Sequence, residues 1–334
     1  MSVSVVVVGH GEEPLLAACL EALVAQLGAG DDVVLVDHGI SSVPEVAGVR
    51  VVTPTTNTGF GGGCAEGARA SSGAVLVFVN SDAVVRPGAL AALAQALRDP
   101  AVGLASGLLL LASQPDLVDS AGLPVHLSGL SWCDRYGEPA AAERRPRSIT
   151  SAHGAMFACR REVWELLGGM DESYFMYHED TDLSLRTHLA GLDVVLASGA
   201  VAVHDHDFSR NAQKMFLLER NRFLTVLGDY PTHLLLRALP VILLLEPLYL
   251  VVAVRDGWAP EKVRAWGWLL RHPLKVTRRR RLVQAAVTAP HALDARLTAA
   301  VTQTQLDAPR AMAPLNRLLT AYWRHVRPHP EVRA

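Results

Sequence analysis

The sequence predicts an α/β protein with a Rossmann-like, mostly parallel sheet flanked by helices. Short runs of β-branched residues alternate with segments rich in Ala and Leu. These runs are continuously apolar, as expected for strands covered by helices on both faces. Helices between such strands form right-handed crossovers in a parallel sheet.

The elements follow this alternation along the chain. The pattern predicts, in order, a strand over 3–8, a helix over 15–27, strands over 33–36 and 49–53, a helix over 64–70, a strand over 75–79 and a helix over 88–97. From 100 to 147, Gly, Ser, Pro and mixed charges predict irregular strands and acceptor-side loops. An apolar run over 192–203 and an amphipathic helix over 211–228 complete this part of the chain.

Composition limits the classes of protein that fit. The 334 residues suit one large or two modest domains, and 31 Lys and Arg against 33 Asp and Glu give a net charge of −2. This balance offers no electrostatic case for nucleic acid. The four scattered cysteines predict a reduced, cytosolic protein. The first residues lack a basic region, so we expect a first strand there rather than a signal peptide.

The C-terminal part has a different character, and we predict a boundary between a catalytic domain over 1–228 and a helical region over 229–334. Residues 234–254 are strongly apolar but contain Arg237, Glu246 and two prolines. These interruptions favour a helix that lies on a membrane or packs against the protein, and a membrane-spanning helix is the less favoured alternative. Residues 255–281 carry nine Lys or Arg, two acidic residues and three Trp. This composition suits an anionic membrane surface. The alternative is an ordinary solvated helix beside a hydrophobic core.

Polar residues follow several predicted strands. His10, Asp37, Asn57 and the turn Asn80-Ser81-Asp82 all lie at such ends, where parallel sheets bind ligands. An Asp can accept the imide N–H of a nucleobase, and a carboxylate can hold Mg²⁺ or Mn²⁺ against phosphate oxygens. We therefore predict Asp82 as a metal ligand, although an Asp after a strand is also a common turn or helix cap.

A second acidic cluster lies in the segment YFMYHEDTDLSLR. Glu179, Asp182 and Arg186 can share one helical face, which leaves Asp180 to point elsewhere. We interpret Asp180 as a general base supported by an Asp182–Arg186 ion pair, with Asp182 as the alternative base. The competing interpretation is an acidic first turn stabilised by the helix dipole.

Two further segments offer ligand-binding groups. In His204-Asp205-His206 one histidine, with His204 preferred over His206, is predicted to complete the metal shell or contact phosphate. The glycines of 57–67 fail the dinucleotide spacing, because Cys64 stands where the last Gly is needed. From Gly59 onward they either bring backbone amides to a phosphate at a helix start, with Arg69 nearby, or build a tight turn.

Taken together, the motifs VVVVGHGEE, VVLVDHG, NTGFGGGCAEGAR, VFVNSDAVV, GGMDESYFMYHEDTDLSLRTHLAG and VAVHDH resemble family 2 inverting glycosyltransferases, in particular the bacterial rhamnosyltransferase-like branch. The resemblance covers residues 3–228. It implies a GT-A fold, a nucleotide-sugar donor, a divalent cation at Asp82, nucleobase recognition by Asp37 and a base at Asp180.

The same resemblance implies roles for the remaining residues and for the protein as a whole. The catalytic set is Asp180, Asp182 and Glu179, the metal set Asp82 and His204, the acceptor side Gly154 and Ala155, and the donor-binding set His10, Asp37, Asn57, Gly59, Arg69, Asn80 and Arg186. The implied donor is a dTDP- or UDP-sugar such as dTDP-rhamnose. Together with the apolar and basic C-terminal third, the resemblance suggests as acceptor a hydroxyl of a cell-envelope or lipid-linked saccharide, reached from the cytoplasmic face of the membrane.

Several positions depart from the family pattern. His10-Gly11, His38, Cys64 and Ser81 stand where the family usually has other residues, and all lie around the expected nucleotide. We therefore expect an altered donor specificity. Two alternative functions remain, a sugar nucleotidyltransferase and an inactive membrane-apposed binding protein. The first lacks a recognisable triphosphate-binding loop, whereas the second conflicts with the retention of Asp82 and Asp180.

Overall fold

The computed structural model describes residues 1–143, 145–205, 211–302 and 312–328. The chain forms two compact units. The first unit consists of Met1–Leu123, Cys133–Thr187 and Leu192–Phe208, and the second of Pro124–Trp132, His188–Gly191 and Ser209–Ala334. The predicted domain boundary at residue 228 stays a prediction.

The helices and strands are numbered in chain order. The strands are β1 (Val3–Gly11), β2 (Asp32–Ile40), β3 (Val49–Val52), β4 (Val75–Asn80), β5 (Ala83–Val85), β6 (Val102–Leu111), β7 (Gln114–Ser120), β8 (Arg147–Ser148), β9 (Met156–Arg160) and β10 (Asp193–His204). The α-helices are α1 (Leu16–Val24), α2 (Gly59–Ala70), α3 (Ala89–Ala96), α4 (Arg161–Leu167), α5 (Glu179–Leu189), α6 (Ala212–Asp229), α7 (Thr232–Arg255), α8 (Ala259–Arg271), α9 (Pro273–Ala285) and α10 (Ala313–Val326).

The sheet of the first unit has the order β3-β2-β1-β4-β9-β6-β10-β5, with β7 and β8 paired at its sides. Strands β3, β2, β1, β4, β6 and β10 run in one direction, whereas β9 and β5 run in the other. The predicted mostly parallel sheet with flanking helices is therefore confirmed. Apolar side chains pack on both of its faces, which explains why the strands are apolar without alternation.

Glycines let helix α2 approach the sheet. A Cβ atom at Gly63 would lie 2.6 Å from Val8 Cγ1, so a larger residue would push α2 away from β1. The Gly-rich segment, for which the sequence offered either a helix start or a tight turn, largely forms the first part of α2.

The segment 100–147 is more regular than predicted. Strand β6 is buried along its whole length in the middle of the sheet. The prediction of a loose segment failed here because Gly103 and Gly107 interrupt the apolar pattern. These glycines are needed for packing, since a Cβ at Gly103 would lie 2.9 Å from Leu192 Cβ.

In the second unit, α6 packs against α8 and α9, and a buried charge cluster links α6, α7 and α8. Its members are Glu219, Arg222, Glu246 and Lys262. Glu219 Oε2 lies 2.9 Å from Arg222 Nη2 and 2.7 Å from Lys262 Nζ, and Glu246 contacts the same two cations at 2.6 and 3.0 Å. Glu246, a polar interruption of the apolar segment, is therefore neutralised inside the protein.

Helix α7 has the length and composition of a membrane span, and 22% of its most apolar window is buried. Large apolar side chains recur along its exposed face at helical spacing, at Leu236, Leu239, Leu243, Leu248, Val251 and Val254. Two of the nearby cations counted in the sequence are internal, because Lys262 is fully buried and Arg279 pairs with Asp229 at 2.8 Å. The exposed cations of this segment are Arg255, Arg264, Arg271, Lys275, Arg278 and Arg281.

Candidate active site

Several strand ends meet at one edge of the sheet in the first unit. Gly9 pairs with Asp37 and Val8 with Asn80, so β1, β2 and β4 end side by side. Neighbouring strands are about 4.8 Å apart, which puts the backbones of Asp37 and Asn80 about 10 Å apart. Strand β9 begins at the same edge because it is antiparallel to β4, and the N–H of Asn80 donates to the Ala155 carbonyl at 3.0 Å.

The turn carrying Asp82 meets the end of β10 at this edge. The Asp205 N–H donates to the Asp82 carbonyl at 3.1 Å, and Asp82 Oδ1 lies 3.4 Å from His204 Nε2. The other ring nitrogen of His204, Nδ1, lies 2.7 Å from Asp119 Oδ2. Asp82 and His204, the two predicted metal ligands, are thus adjacent, whereas His206 lies outside the described residues.

The carboxylates on either side of His204 control its charge. Burial alone would lower its pKa, but the hydrogen bonds and charges of Asp119 and Asp82 outweigh burial and raise the pKa to about 9. The imidazole is therefore protonated at neutral pH. Since a metal-bound imidazole must lose the proton from its ligating nitrogen, a cation would have to displace that proton for His204 to coordinate it.

Asp37 and His10 form the other end of the edge. Asp37 Oδ1 accepts hydrogen bonds from the N–H groups of Gly39 and Ile40 at 2.8 and 2.7 Å. These hydrogen bonds form a turn that occupies only one of the two carboxylate oxygens. The other oxygen, Oδ2, accepts no hydrogen bond from the described residues. On the neighbouring strand, His10 Nδ1 lies 2.7 Å from the His38 carbonyl oxygen.

The start of α5 brings Asp180 to the same edge. Asp180 Oδ2 accepts a hydrogen bond from the Gly154 N–H at 2.9 Å, and Oδ1 accepts one from Thr181 N–H at 2.6 Å. Gly154 and Ala155 immediately precede β9, so they connect Asp180 to Asn80 on β4.

Burial sets the protonation of these acids. It raises the pKa of Asp180 against the opposing effect of its backbone hydrogen bonds. It also raises the pKa of Glu179, and the Asp180 charge adds to that effect. Glu179 Oε2 and Asn80 Oδ1 are buried and have no hydrogen-bond partner among the described residues. Buried oxygens without a partner are uncommon in folded proteins, and a bound ligand or a proton would satisfy them.

Asp182 and Arg186 face a different part of the first unit. Arg186 Nη2 lies 2.6 Å from Asp182 Oδ2, which matches the predicted supporting pair. The guanidinium also donates to the carbonyls of Leu167 and Gly169 at 2.6 and 2.8 Å. Asp182 is fully buried and its carboxylate is held by Arg186, whereas Asp180 bonds to Gly154 in the strand-end group.

The Gly-rich segment meets the loop that precedes α5. Asn57 Oδ1 accepts a hydrogen bond from Gly59 N–H at 2.8 Å, and Phe60 N–H donates to the Phe175 carbonyl at 2.7 Å. Gly59 has φ +77° and fits directly against the Phe175 backbone. Arg69 is ten residues further along α2, about 15 Å from its start. Arg69 therefore lies apart from the residues at the strand ends.

Sequence reasoning missed two residues at this edge. Asp119 is fully buried on β7, in the segment expected to be irregular. His153 Nδ1 accepts a hydrogen bond from Ala155 N–H at 3.1 Å, and its ring centroid lies 5.7 Å from that of His204. In the sequence, the only indication of a role for His153 was its position directly before Gly154, a predicted acceptor-side residue.

Before α5, three non-glycine residues have positive φ: Phe175 (64°), Tyr177 (69°) and His178 (69°). This conformation is strained for such side chains, and strain of this kind concentrates at functional sites. The loop therefore adds a structural indication to the acidic cluster that follows it.

The sequence matches a known family and one curated relative. The model of the family described as "Glycosyltransferase like family 2" matches residues 2–226. The O-antigen biosynthesis protein RfbC of Myxococcus xanthus is 33% identical over 153 residues, which cover 43% of this chain and 12% of that protein. The aligned part is thus a small fraction of the relative.

Solved structures with a similar fold include two that match much of this chain. The structure of GalNAc-T7 with UDP, GalNAc and Mn²⁺ matches with a TM-score of 0.56 and 16% identity, over 69% of this chain and 48% of that one. The S. aureus TarS 1-349 structure matches with a TM-score of 0.53 and 15% identity, over 96% and 88% of the two chains. At these identities the similarity concerns the fold alone, and it confirms the expected GT-A class.

Proposed function

Because this chain belongs to glycosyltransferase-like family 2, we propose that it is a cation-dependent, inverting glycosyltransferase that uses a nucleoside diphosphate sugar. The observation that carries this proposal is the shared sheet edge of Asp37, Asn80, Asp82 and Asp180. Each of these side chains suits a different part of such a donor or of the acceptor.

Asp180 is the proposed general base. In a direct displacement the acceptor oxygen bonds to the anomeric carbon, the bond from that carbon to the diphosphate breaks, and the hydroxyl proton passes to Asp180. The hydrogen bonds from Gly154 and Thr181 fix the direction of the carboxylate. Its raised pKa makes it a stronger proton acceptor than an exposed Asp. A single displacement inverts the anomeric centre.

Asp82 is the proposed ligand of Mg²⁺ or Mn²⁺, with His204 at its side. The fit rests on the half-buried Asp82 carboxylate, whose Oδ1, like the Oδ1 of Asn80, is buried without a hydrogen-bond partner among the described residues, since hard cations prefer oxygen ligands. A bound cation would neutralise the departing nucleoside diphosphate. GalNAc-T7, which shares the fold, was solved with Mn²⁺.

Asp37 is proposed to recognise the nucleobase. Oδ2 remains available to accept the imide N–H of uracil or thymine, while Oδ1 is held by the turn. This pairing favours a dTDP- or UDP-sugar donor, and the resemblance to rhamnosyltransferases favours dTDP-rhamnose among them. The acceptor we propose is a saccharide of the cell envelope, a choice supported by the name of the O-antigen biosynthesis relative.

The second unit is proposed to contact the cytoplasmic face of an anionic membrane. A continuous exposed apolar face such as that of α7 is unusual on a soluble surface and marks an interaction site. Exposed cations on α8 and α9 add electrostatic attraction to acidic lipids. A lipid-linked acceptor would be held at that surface.

A donor panel tests the activity. The full chain with Mn²⁺ is incubated with UDP-, dTDP- and GDP-sugars, and released nucleoside diphosphate is measured with and without chelator. We expect cation-dependent release from a dTDP- or UDP-sugar. Donor-dependent thermal stabilisation without release or transfer would favour the inactive binding protein. Pyrophosphate release from a nucleoside triphosphate and a sugar phosphate would favour the nucleotidyltransferase.

A further inference from the structure

Three side chains of the second unit converge on one another. His233 lies in the first turn of α7, and His291 and Asp294 lie in the turns that follow α9. One ligand atom from each lies within 4.8 Å of the others. Asp294 Oδ2 is 2.8 Å from His291 Nδ1 and 3.4 Å from His233 Nε2.

The chemistry of this group suits a metal ion. Asp294 is 5% exposed, and its Oδ1 has no hydrogen-bond partner among the described residues. A buried carboxylate with an unpartnered oxygen is costly unless a cation or donor satisfies it.

We propose that His233, His291 and Asp294 bind a divalent transition-metal ion, with zinc as the best match. Zinc is held in tetrahedral sites by nitrogen at about 2.0 to 2.1 Å and by carboxylate oxygen at similar distances. Ligand atoms around it are then roughly 3.3 Å apart, close to the 3.4 Å between His233 and Asp294. His291 and Asp294, now 2.8 Å apart, would separate slightly as the ion replaces the proton between them. The fourth position would hold water at the exposed side of His291.

The ion proposed here differs from the cation proposed at Asp82. Two imidazoles select zinc and related metals, whereas oxygen-rich sites select Mg²⁺ or Mn²⁺. Because His291→Ala removes a ligand of this site alone, the variant tests it separately from the site at Asp82.

Metal binding at this group is expected to stabilise the segment that follows α9. The segment 286–302 contains no helix or strand, and Thr298 joins it to residues 125–127 through two backbone hydrogen bonds of 2.9 Å. A metal shared by His233 on α7 and by His291 and Asp294 would cross-link the helix to this segment. Binding to the folded state alone stabilises that state.

The experiment is a zinc chloride titration of untagged, chelator-stripped full-length protein by calorimetry. Cobalt chloride follows as a spectroscopic probe of tetrahedral coordination. We expect one zinc per chain, visible d–d bands with cobalt and a raised melting temperature. His291→Ala should weaken binding at least tenfold, because it removes one of three ligands. His325→Ala is the matched control, an exposed histidine of α10 outside the group, and should bind as the wild type does.

The side chain of His291 is 65% exposed, so its removal is compatible with folding. Asp294→Asn provides a second variant that keeps the shape of the buried side chain. Absence of one-to-one zinc binding by the wild type would overturn the proposal and leave an ordinary hydrogen-bonded His-Asp-His group. Equal zinc affinity of the wild type and folded His291→Ala would overturn it as well.

Discussion

Buried carboxylates in the two units of this protein differ in the direction of their pKa shifts. In the first unit, burial raises the pKa of Asp180 and Glu179. In the second unit, burial would raise the pKa of Glu219, but Arg222 and Lys262 lower it to about 2. The difference lies in the surrounding charges, because Glu219 contacts two cations whereas Glu179 and Asp180 repel each other.

This contrast separates two uses of charge in one chain. In the second unit the acids and bases neutralise one another, so the charge cluster contributes to the fold. In the first unit Asp180 is held by N–H groups and has no ion pair among the described residues, so its carboxylate costs stability and is ready to accept a proton. The lack of a paired cation therefore distinguishes Asp180 from Glu219.

The largest effect that tests this contrast is expected for Asp180→Asn. The variant keeps the shape of the side chain but removes the base, so turnover should fall by about 10² to 10⁴ fold. The unfolding free energy at neutral pH should not decrease, because the ionised Asp180 is destabilised by burial. Donor turnover and chemical denaturation of the same preparation measure both quantities.

Asp182→Asn is the informative comparison for that experiment. Asp182 is fully buried and paired with Arg186, so its loss should lower stability and leave the turnover of folded protein largely intact. Wild-type turnover in Asp180→Asn, together with inactive but folded Asp182→Asn, would transfer the role of base to Asp182.

The next largest effect is expected for Lys262→Met in the second unit. The substitution leaves Glu219 and Glu246 facing each other with Arg222 alone, and removal of one partner from a buried ion pair costs about 3 to 5 kcal/mol. Denaturant unfolding measures this loss. Lys275→Met is the matched control, because Lys275 is exposed on α9 and should change stability little. Equal losses in the two variants would remove the distinction between internal and surface charge.

The third effect concerns acid stability. The folded-state pKa of Glu219, about 2, is below its ordinary value of 4.5. Its contribution to stability is therefore present above pH 4.5 and lost as the pH falls toward 2. The contribution is on the order of 3 kcal/mol. Unfolding free energies measured between pH 6 and 3 should decline less steeply in Glu219→Gln than in the wild type. Parallel curves would show that Glu219 has an ordinary pKa.

The sequence predicted the sheet and most of its edge, for identifiable reasons. Asp37, Asn80 and Asp82 follow apolar strands, and the ends of parallel strands meet wherever a sheet forms. Asp180 was separated from Asp182 by helical spacing alone, and their contacts differ accordingly.

The remaining features depend on contacts between distant parts of the chain. Asp119 reaches His204 across 85 residues, and no local pattern of either residue predicts that pair. Lys262 and Arg279 contribute to the basic composition of 255–281 but are buried, because their partners Glu219 and Asp229 lie on α6. Composition counts charges without showing which of them face solvent.

The smallest effect distinguishes two adjacent arginines on α9. Arg278 is exposed, and a cation near acidic headgroups contributes roughly 1 kcal/mol, so Arg278→Gln should weaken binding to phosphatidylserine vesicles about fivefold. Arg279 is buried against Asp229, so Arg279→Gln should instead lower the unfolding free energy. Vesicle flotation at two salt concentrations and denaturant unfolding measure both variants. Unchanged flotation of Arg278→Gln, or flotation of the wild type that salt leaves unaffected, would mean that the exposed cations of α9 do not face a membrane.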